Sequence, residues 1–218
     1  MDNNHYDITV PKLLTQFFGR KFSVIPHDDI TSKELIEEFN KSVDFPRSQY
    51  AYEDHLGDYV HINGNISEIA RNYFGYYRNA TGEDLSYLLA YSTARYPSKL
   101  YKEWLKRNKG LVSSLGYNYL DIFYWEERMG VWCAKIKTES QVLGREIMSP
   151  FNSRELLIQL LSTNRKDRDS HFNKLYEQII ANLSNNDLRV ISLAINPCLK
   201  QRIIALMKIL RVYNIYRY

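Results

Sequence analysis

The chain has 218 residues, 44% of them apolar, and a formal net charge of +4. That is enough chain for one sizeable core, and only 9 glycines argue against a propeller or a sandwich and for helices joined by short turns. Six basic and no acidic residues fall in 188–218, so the positive balance belongs to the C-terminus and is not a global nucleic-acid signature.

In chain order, residues 10–18 place Val10, Leu13, Leu14, Phe17 and Phe18 at helical spacing, with Gly19 as a stop signal. Residues 22–25 read as a short strand closed by Pro26. Thr31 with Glu34 forms a capping box for a helix to about residue 43, striped by Leu35, Ile36 and Phe39. Residues 58–62 read as a second strand, Asn63, Gly64 and Asn65 as its turn, and 66–77 as a helix. Thr81 with Asp84 caps another helix through residue 91. A further helix covers 98–115, with Gly110 as a break. The longest candidate, 118–139, carries a stripe at Ile122, Trp125, Met129, Trp132 and Ile136. Helices follow at 154–161 and 171–183. Residues 191–195 open as strand or helix, and 199–212 form a basic amphipathic helix.

This pattern predicts an α/β fold, predominantly helical, with the strands at 22–25 and 58–62 side by side and parallel. Residues 1–198 are expected to form a single domain, followed by the basic helix and tail of 199–218. The chain opens without a charged-then-apolar leader, and no apolar run approaches about 18 residues. A soluble, cytoplasmic protein with no membrane partner is expected. Cys133 and Cys198 lack motif spacing and read as buried reduced thiols. His55 and His61 fit no helix face for a metal, so no metal site is expected. Neither a Walker loop nor a dinucleotide fingerprint is present.

Three segments could carry chemistry. In the first, a strand runs into Gly64 and then into a helix starting near Ser67, where free backbone N–H groups attract anions. Glu68 lies in its first turn and Arg71 one turn on. The plain alternative is a capped helix with a solvated Arg. In the second, Arg128 follows Tyr124 by one turn and Asp121 by two, beside Glu126 and Glu127. This is either a ligand-facing group or an ion-paired helix contact. In the third, Arg145 and Arg154 bracket a turn made extended by Ser149 and Pro150, with Asn152 or Ser153 as the next helix cap. Two arginines around one turn suit a phosphate or carboxylate, or structural salt bridges.

The order of these segments resembles the asparagine-synthase-like (N-type) ATP pyrophosphatases, of the adenine nucleotide alpha hydrolase or HUP-like fold. Their run of Arg, then Glu-x-Arg-x-Pro-Phe-Leu-Asp, then a helix and a basic turn matches Arg128, then Glu146, Pro150 and Phe151 in register, then Asn164 to Arg168. Met148 stands for the family's Arg and Ser153 for its Asp. Gly64, Ser67 and Glu68 resemble its Gly-rich turn ending in Asp-Glu. Residues 7–26 resemble its second helix and strand.

The resemblance implies a partial HUP-like parallel sheet with a C-terminal helical region, and ATP with Mg²⁺ as ligands. It implies a ligand face of Gly64, Ser67, Glu68, Arg71, Arg128, Arg145, Glu146, Asn152 and Arg154. The implied chemistry is that of an ATP-dependent ligase or amidotransferase that adenylates a carboxylate. The family's Ser-Gly-Gly-x-Asp-Ser loop should precede Asp7, and nothing in the chain matches it. That loop supplies the donors that cradle pyrophosphate and a Mg²⁺ ligand. The expectation is therefore a truncated or diverged domain, not catalytically complete alone. Its partner would be a polypeptide supplying the missing half, or a second copy.

The competing reading is a non-catalytic helical interaction protein using its 18 tyrosines and basic C-terminal surface on a partner protein or a nucleic acid. Nucleic acid is the least expected partner.

Overall fold

The computed structural model describes residues 6–24, 37, 41, 59–75, 79–89, 95–142, 144, 146–168 and 174–195. Apart from residues 37 and 41, the helix expected after Thr31 lies outside the described residues, as do the site residue Arg145 and the helix expected at 199–212.

Helix α1 is Tyr6–Phe17, strand β1 is His61–Ile62, and a single 3-10 turn follows at Ser67–Ala70. Helices α2 (Gly82–Leu88), α3 (Arg95–Ser114) and α4 (Tyr119–Phe123) come next. A π-helical stretch at Tyr124–Gly130 leads into α5 (Val131–Val142). Strand β2 (Ile147–Met148), α6 (Arg154–Ser162), α7 (Lys174–Leu183) and α8 (Leu188–Ile195) follow among the described residues. The protein is mostly helical with a small parallel sheet. Among the described residues, no helix is long and apolar enough to cross a membrane.

The chain divides into two compact units. The first unites residues 1–63, 134–150 and 176–196. Here α1 ends where the sequence stops it. The Gly19 N–H donates to the Gln16 carbonyl at 3.1 Å and the Arg20 N–H to the Thr15 carbonyl at 2.7 Å. This double reverse bond needs the left-handed residue that Gly19 supplies at φ 62°. Helix α1 packs against α8, with the Arg189 guanidinium 4.6 Å from the Phe17 ring centroid.

The sheet departs from expectation. Strand β1 pairs in parallel with β2, His61 opposite Ile147 and Ile62 opposite Met148. Residues 21–24 form no strand. Lys21, Ser23 and Val24 are exposed and have no ladder beside them among the described residues, and an isolated extended segment leaves its backbone to water. The partner of β1 was hidden because two residues carry no readable period.

The second unit, residues 64–133, 151–175 and 197–218, holds the main core among its described residues. Phe123 is fully buried at its centre. It meets Tyr101 and Trp104 edge-on at 5.0 Å each, and lies tilted against Phe74 at 5.9 Å. The capping box expected at the start of α2 is present, with the Thr81 hydroxyl accepting from the Asp84 N–H at 3.1 Å and Asp84 accepting from the Thr81 N–H at 2.9 Å. Helix α2 packs on α3 at Gly82, where an added Cβ would lie 2.2 Å from the Ser98 carbonyl oxygen. Gly110 does not break α3. The helix expected at 66–77 is reduced to the 3-10 turn, after which residues 71–75 run as turns.

The longest expected helix is continuous from Tyr119 but changes pitch. After the fully buried Phe123 and the buried Tyr124, the next core residue is Met129, five positions beyond Tyr124. An ideal α-helix returns to the same face after three or four residues, which would aim Glu127 or Arg128 inward. The wider π turn carries that pair past the core and brings Met129 to it. The register change also corrects the predicted stripe: Met129 and Ile136 are buried, while Trp125 and Trp132 lie half-buried. Glu126 is exposed as expected, and Glu127 is partly covered.

Candidate functional site

The turn after β1 is tightly built. Ile66 sits in the left-handed region at φ 78° and ψ −27°, a conformation that β-branched residues rarely adopt. Its buried side chain belongs to the main core, and this anchorage holds the strained backbone. The Ser67 hydroxyl donates to the Gly64 carbonyl at 2.7 Å, so this Ser closes the turn. Ile69 and Ala70 are buried, whereas Arg71 on the next step is exposed.

Glu68 has one carboxylate oxygen, Oε2, buried without a hydrogen-bond partner among the described residues. Its charge reaches Tyr124. That phenol is pushed well above its ordinary value, first by burial, then by Tyr73 and Glu68, with Arg128 opposing. Tyr73 stacks on Tyr124 at 4.3 Å with a 24° tilt. Arg128 is half-buried, its guanidinium 5.5 Å from the Trp132 ring centroid. Glu68 and Arg128 therefore both act on Tyr124; the sequence placed Arg128 one turn from Tyr124 but did not bring in Glu68 or Tyr73.

The other candidates are placed separately. Glu146 contributes its backbone, accepting from the His61 N–H at 2.9 Å, and the Asn63 N–H donates to the Met148 carbonyl at 3.0 Å. Asn152 and Arg154 are exposed. The cap of α6 is Ser153, whose Oγ accepts from the Leu156 N–H at 3.4 Å. Arg128 does not serve Asp121, because the π turn carries it away and a different arginine takes that carboxylate.

That arginine comes from the turn at 164–168. Arg168 Nη2 donates to Asp121 Oδ2 at 2.7 Å, Nε to the Thr163 carbonyl at 3.2 Å, and Nη1 to the Ala70 carbonyl at 3.4 Å. Arg165 donates from Nε to Asn72 Oδ1 at 3.0 Å, and from Nη2 to the Gly75 carbonyl. The Asn72 N–H donates to the Arg168 carbonyl at 2.9 Å. The turn is thus stitched onto residues 70–75. Burial pushes the Asp121 carboxyl above its ordinary value while Arg168 pulls it down. With three kinds of donor satisfied by protein oxygens, Arg168 is a clamp and has little left for an anion. Neither Asn72 nor Arg165 was signalled by spacing, since they lie 93 residues apart.

Among the described residues, no group of three or more His, Cys, Asp or Glu side chains comes together to hold a metal ion. No family model, no curated protein and no solved structure matches the chain.

A second feature escaped the sequence reading. Helix α3 carries six basic residues and one acidic one. Arg95, Lys99, Lys102, Lys106 and Lys109 recur at alternating steps of four and three. That period is readable in the sequence.

Proposed function

We propose that this chain is a diverged asparagine-synthase-like domain, related to enzymes that adenylate a carboxylate with ATP and lacking complete catalysis by itself. The observation that carries this reading is the parallel pairing of β1 with β2. It brings the strand leading into the Gly64 turn beside the segment that begins at Glu146, the two stretches on which the resemblance rests. Two further features support it. The basic turn ending at Arg168 docks on residues 70–75, just after the Gly64 to Arg71 segment. Backbone strain at Ile66 lies within that same segment, and such strain concentrates at ligand sites. In this reading Gly64, Ser67 and Glu68 form the nucleotide-facing turn. Arg71 and Arg128, in the same unit, are its candidate anion partners, and Mg²⁺ accompanies ATP.

The test is amide-resolved NMR of the full chain titrated with Mg²⁺ and ATP. Weak binding, with a dissociation constant on the order of 1 mM, should shift the amides of 64–71 without release of pyrophosphate. No localised shift would sink the reading. Pyrophosphate release with a carboxylate acceptor would overturn its non-catalytic part.

The second reading, a helical interaction protein, is favoured by one observation. Helix α3 exposes Tyr96, Leu100 and Leu111 to solvent.

A further inference from the structure

We propose that the outer face of α3 is a binding surface for the phosphate backbone of a nucleic acid, a role independent of the nucleotide reading above. Arg95, Lys99, Lys102, Lys106 and Lys109 fall within about 80° of arc at 3.6 residues per turn. They form a line roughly 20 Å long at 1.5 Å per residue. Arg95, Lys99, Lys102 and Lys106 are exposed and make no ion pair among the described residues. Lys109 ends the line, half-buried over the Tyr119 ring at 4.7 Å and within 3.4 Å of Asn79 Oδ1.

The carboxylates near α3 are directed elsewhere or stand apart. Glu126 accepts from Trp104 Nε1 at 2.8 Å on the core side. Arg107 acts on Glu127. Glu83, next along α2 from the Gly82 that packs on Ser98 and Lys102, is exposed, as is Glu103, and neither pairs with the line among the described residues.

The apolar face of the same helix decides the class of partner. A helix that binds an anionic membrane must offer its apolar side to lipid. Here Tyr101 and Trp104 are buried in the main core, with Phe123 against both. Tyr96, Leu100 and Leu111 are exposed on another side of the helix, outside the arc of the cations, and what that arc presents is an evenly spaced row of charge, complementary to a continuous polyanion. The helix holds six of the chain's 29 basic and one of its 25 acidic residues, which leaves 23 basic and 24 acidic residues elsewhere.

The experiment is fluorescence anisotropy of the full chain with labelled nucleic acid. The probes are a duplex of about two helical turns and a single strand of equal length. With five phosphate contacts, affinity for a duplex should fall about 500-fold between 50 and 200 mM salt. Combining Lys99→Gln, Lys102→Gln and Lys106→Gln should lower the salt slope by about three. The matching Lys→Arg triple should keep it. All three positions are exposed, so thermal melting should be unchanged and will confirm the fold. Lys137→Gln, exposed on α5, should leave binding unaltered. Salt-sensitive binding of either duplex or single strand, lost in the Gln triple, sustains the proposal and tells which form is preferred. The proposal fails if nothing binds at about 50 mM salt. It fails equally if the Gln triple binds with an unchanged slope, which would move the contact to another basic surface. Binding to vesicles containing phosphatidylserine in place of nucleic acid also overturns it.

Discussion

Arg168 and Asp121 form a buried ion pair, with Nη2 to Oδ2 at 2.7 Å and both side chains almost inaccessible to water. Breaking such a pair leaves an uncompensated charge, whereas replacing both members with apolar groups is often neutral. Arg168→Met and Asp121→Leu should each destabilise the second unit by about 3–5 kcal/mol. The double variant should recover most of that loss. That recovery is measured against the sum of the two single losses; about 1–3 kcal/mol should remain for each carbonyl left unpaired, at Ala70 and Thr163. Urea denaturation of the four proteins completes the cycle, and strictly additive losses would show that the pair is not coupled. The pH dependence has a definite sign. The Asp121 carboxyl is raised in the fold, so its contribution to stability falls as pH rises from below its ordinary value through the folded one.

Tyr124 and Met129 enclose the π turn, and this sets the ranking of core losses. Met129→Ala should cost about 2–5 kcal/mol. Trp125→Ala, at a half-buried position, should cost less than the 3–5 kcal/mol typical of a fully buried large aromatic. Phe123→Ala should reach that full range. Thermal melting of the three variants checks the order. If Trp125→Ala proved the most damaging, the helical register described here would be wrong.

Ile66 sets strain against burial. Replacement by Ala loses buried side-chain atoms and keeps most of the left-handed penalty. Replacement by Gly loses slightly more side chain but relieves strain of about 1–2 kcal/mol. Both variants should be less stable than the parent, with Gly above Ala by about 1 kcal/mol. An exposed helical site gives the opposite order, so equilibrium unfolding separates the cases.

Asp187 has its carboxyl lowered to about 2, chiefly by the hydrogen bond from the Arg189 side chain. The contribution is present above the ordinary value of 3.8 and is lost as pH falls through the folded value. Carboxyl-detected NMR titration should place its midpoint near 2 in the parent and move it toward 3.8 in Arg189→Gln. An unmoved midpoint would assign the shift to the α8 N-terminus instead.

Local signals were legible and long-range ones were not. The Thr81 and Asp84 box, the Gly19 stop and the Ser153 cap each lie within a few residues of what they satisfy, so the sequence shows them directly. The strand at His61 and Ile62 was within reach of its neighbours' pattern, but its partner at Ile147 and Met148 was not, because pairing across the chain leaves no local period. The π turn was concealed by a stripe that matches ordinary helical spacing through Trp125 and Trp132. The resemblance marked Gly64 to Glu68 and Glu146 to Phe151 as related segments without saying that their strands would pair. Glu68 and Arg128 were picked out, the latter together with Tyr124 one turn before it, while Tyr73, whose ring stacks on Tyr124, was not.

The turn at 164–168 has a kinetic consequence. Its two arginines join segments far apart along the chain: Arg168 reaches Asp121 across 47 residues, and Arg165 reaches Asn72 across 93. Closing a loop grows costlier only logarithmically, by about 0.6 kcal/mol per doubling of length. Once the shorter loop is closed, the longer one adds little entropy loss, while its hydrogen bonds from a charged donor each return about 1.5–3 kcal/mol. The second clamp should therefore snap shut almost as soon as the first. The α2–α3 hairpin can assemble early from neighbouring chain, but residues 70–75 must wait for the 164–168 turn and then lock in one concerted step.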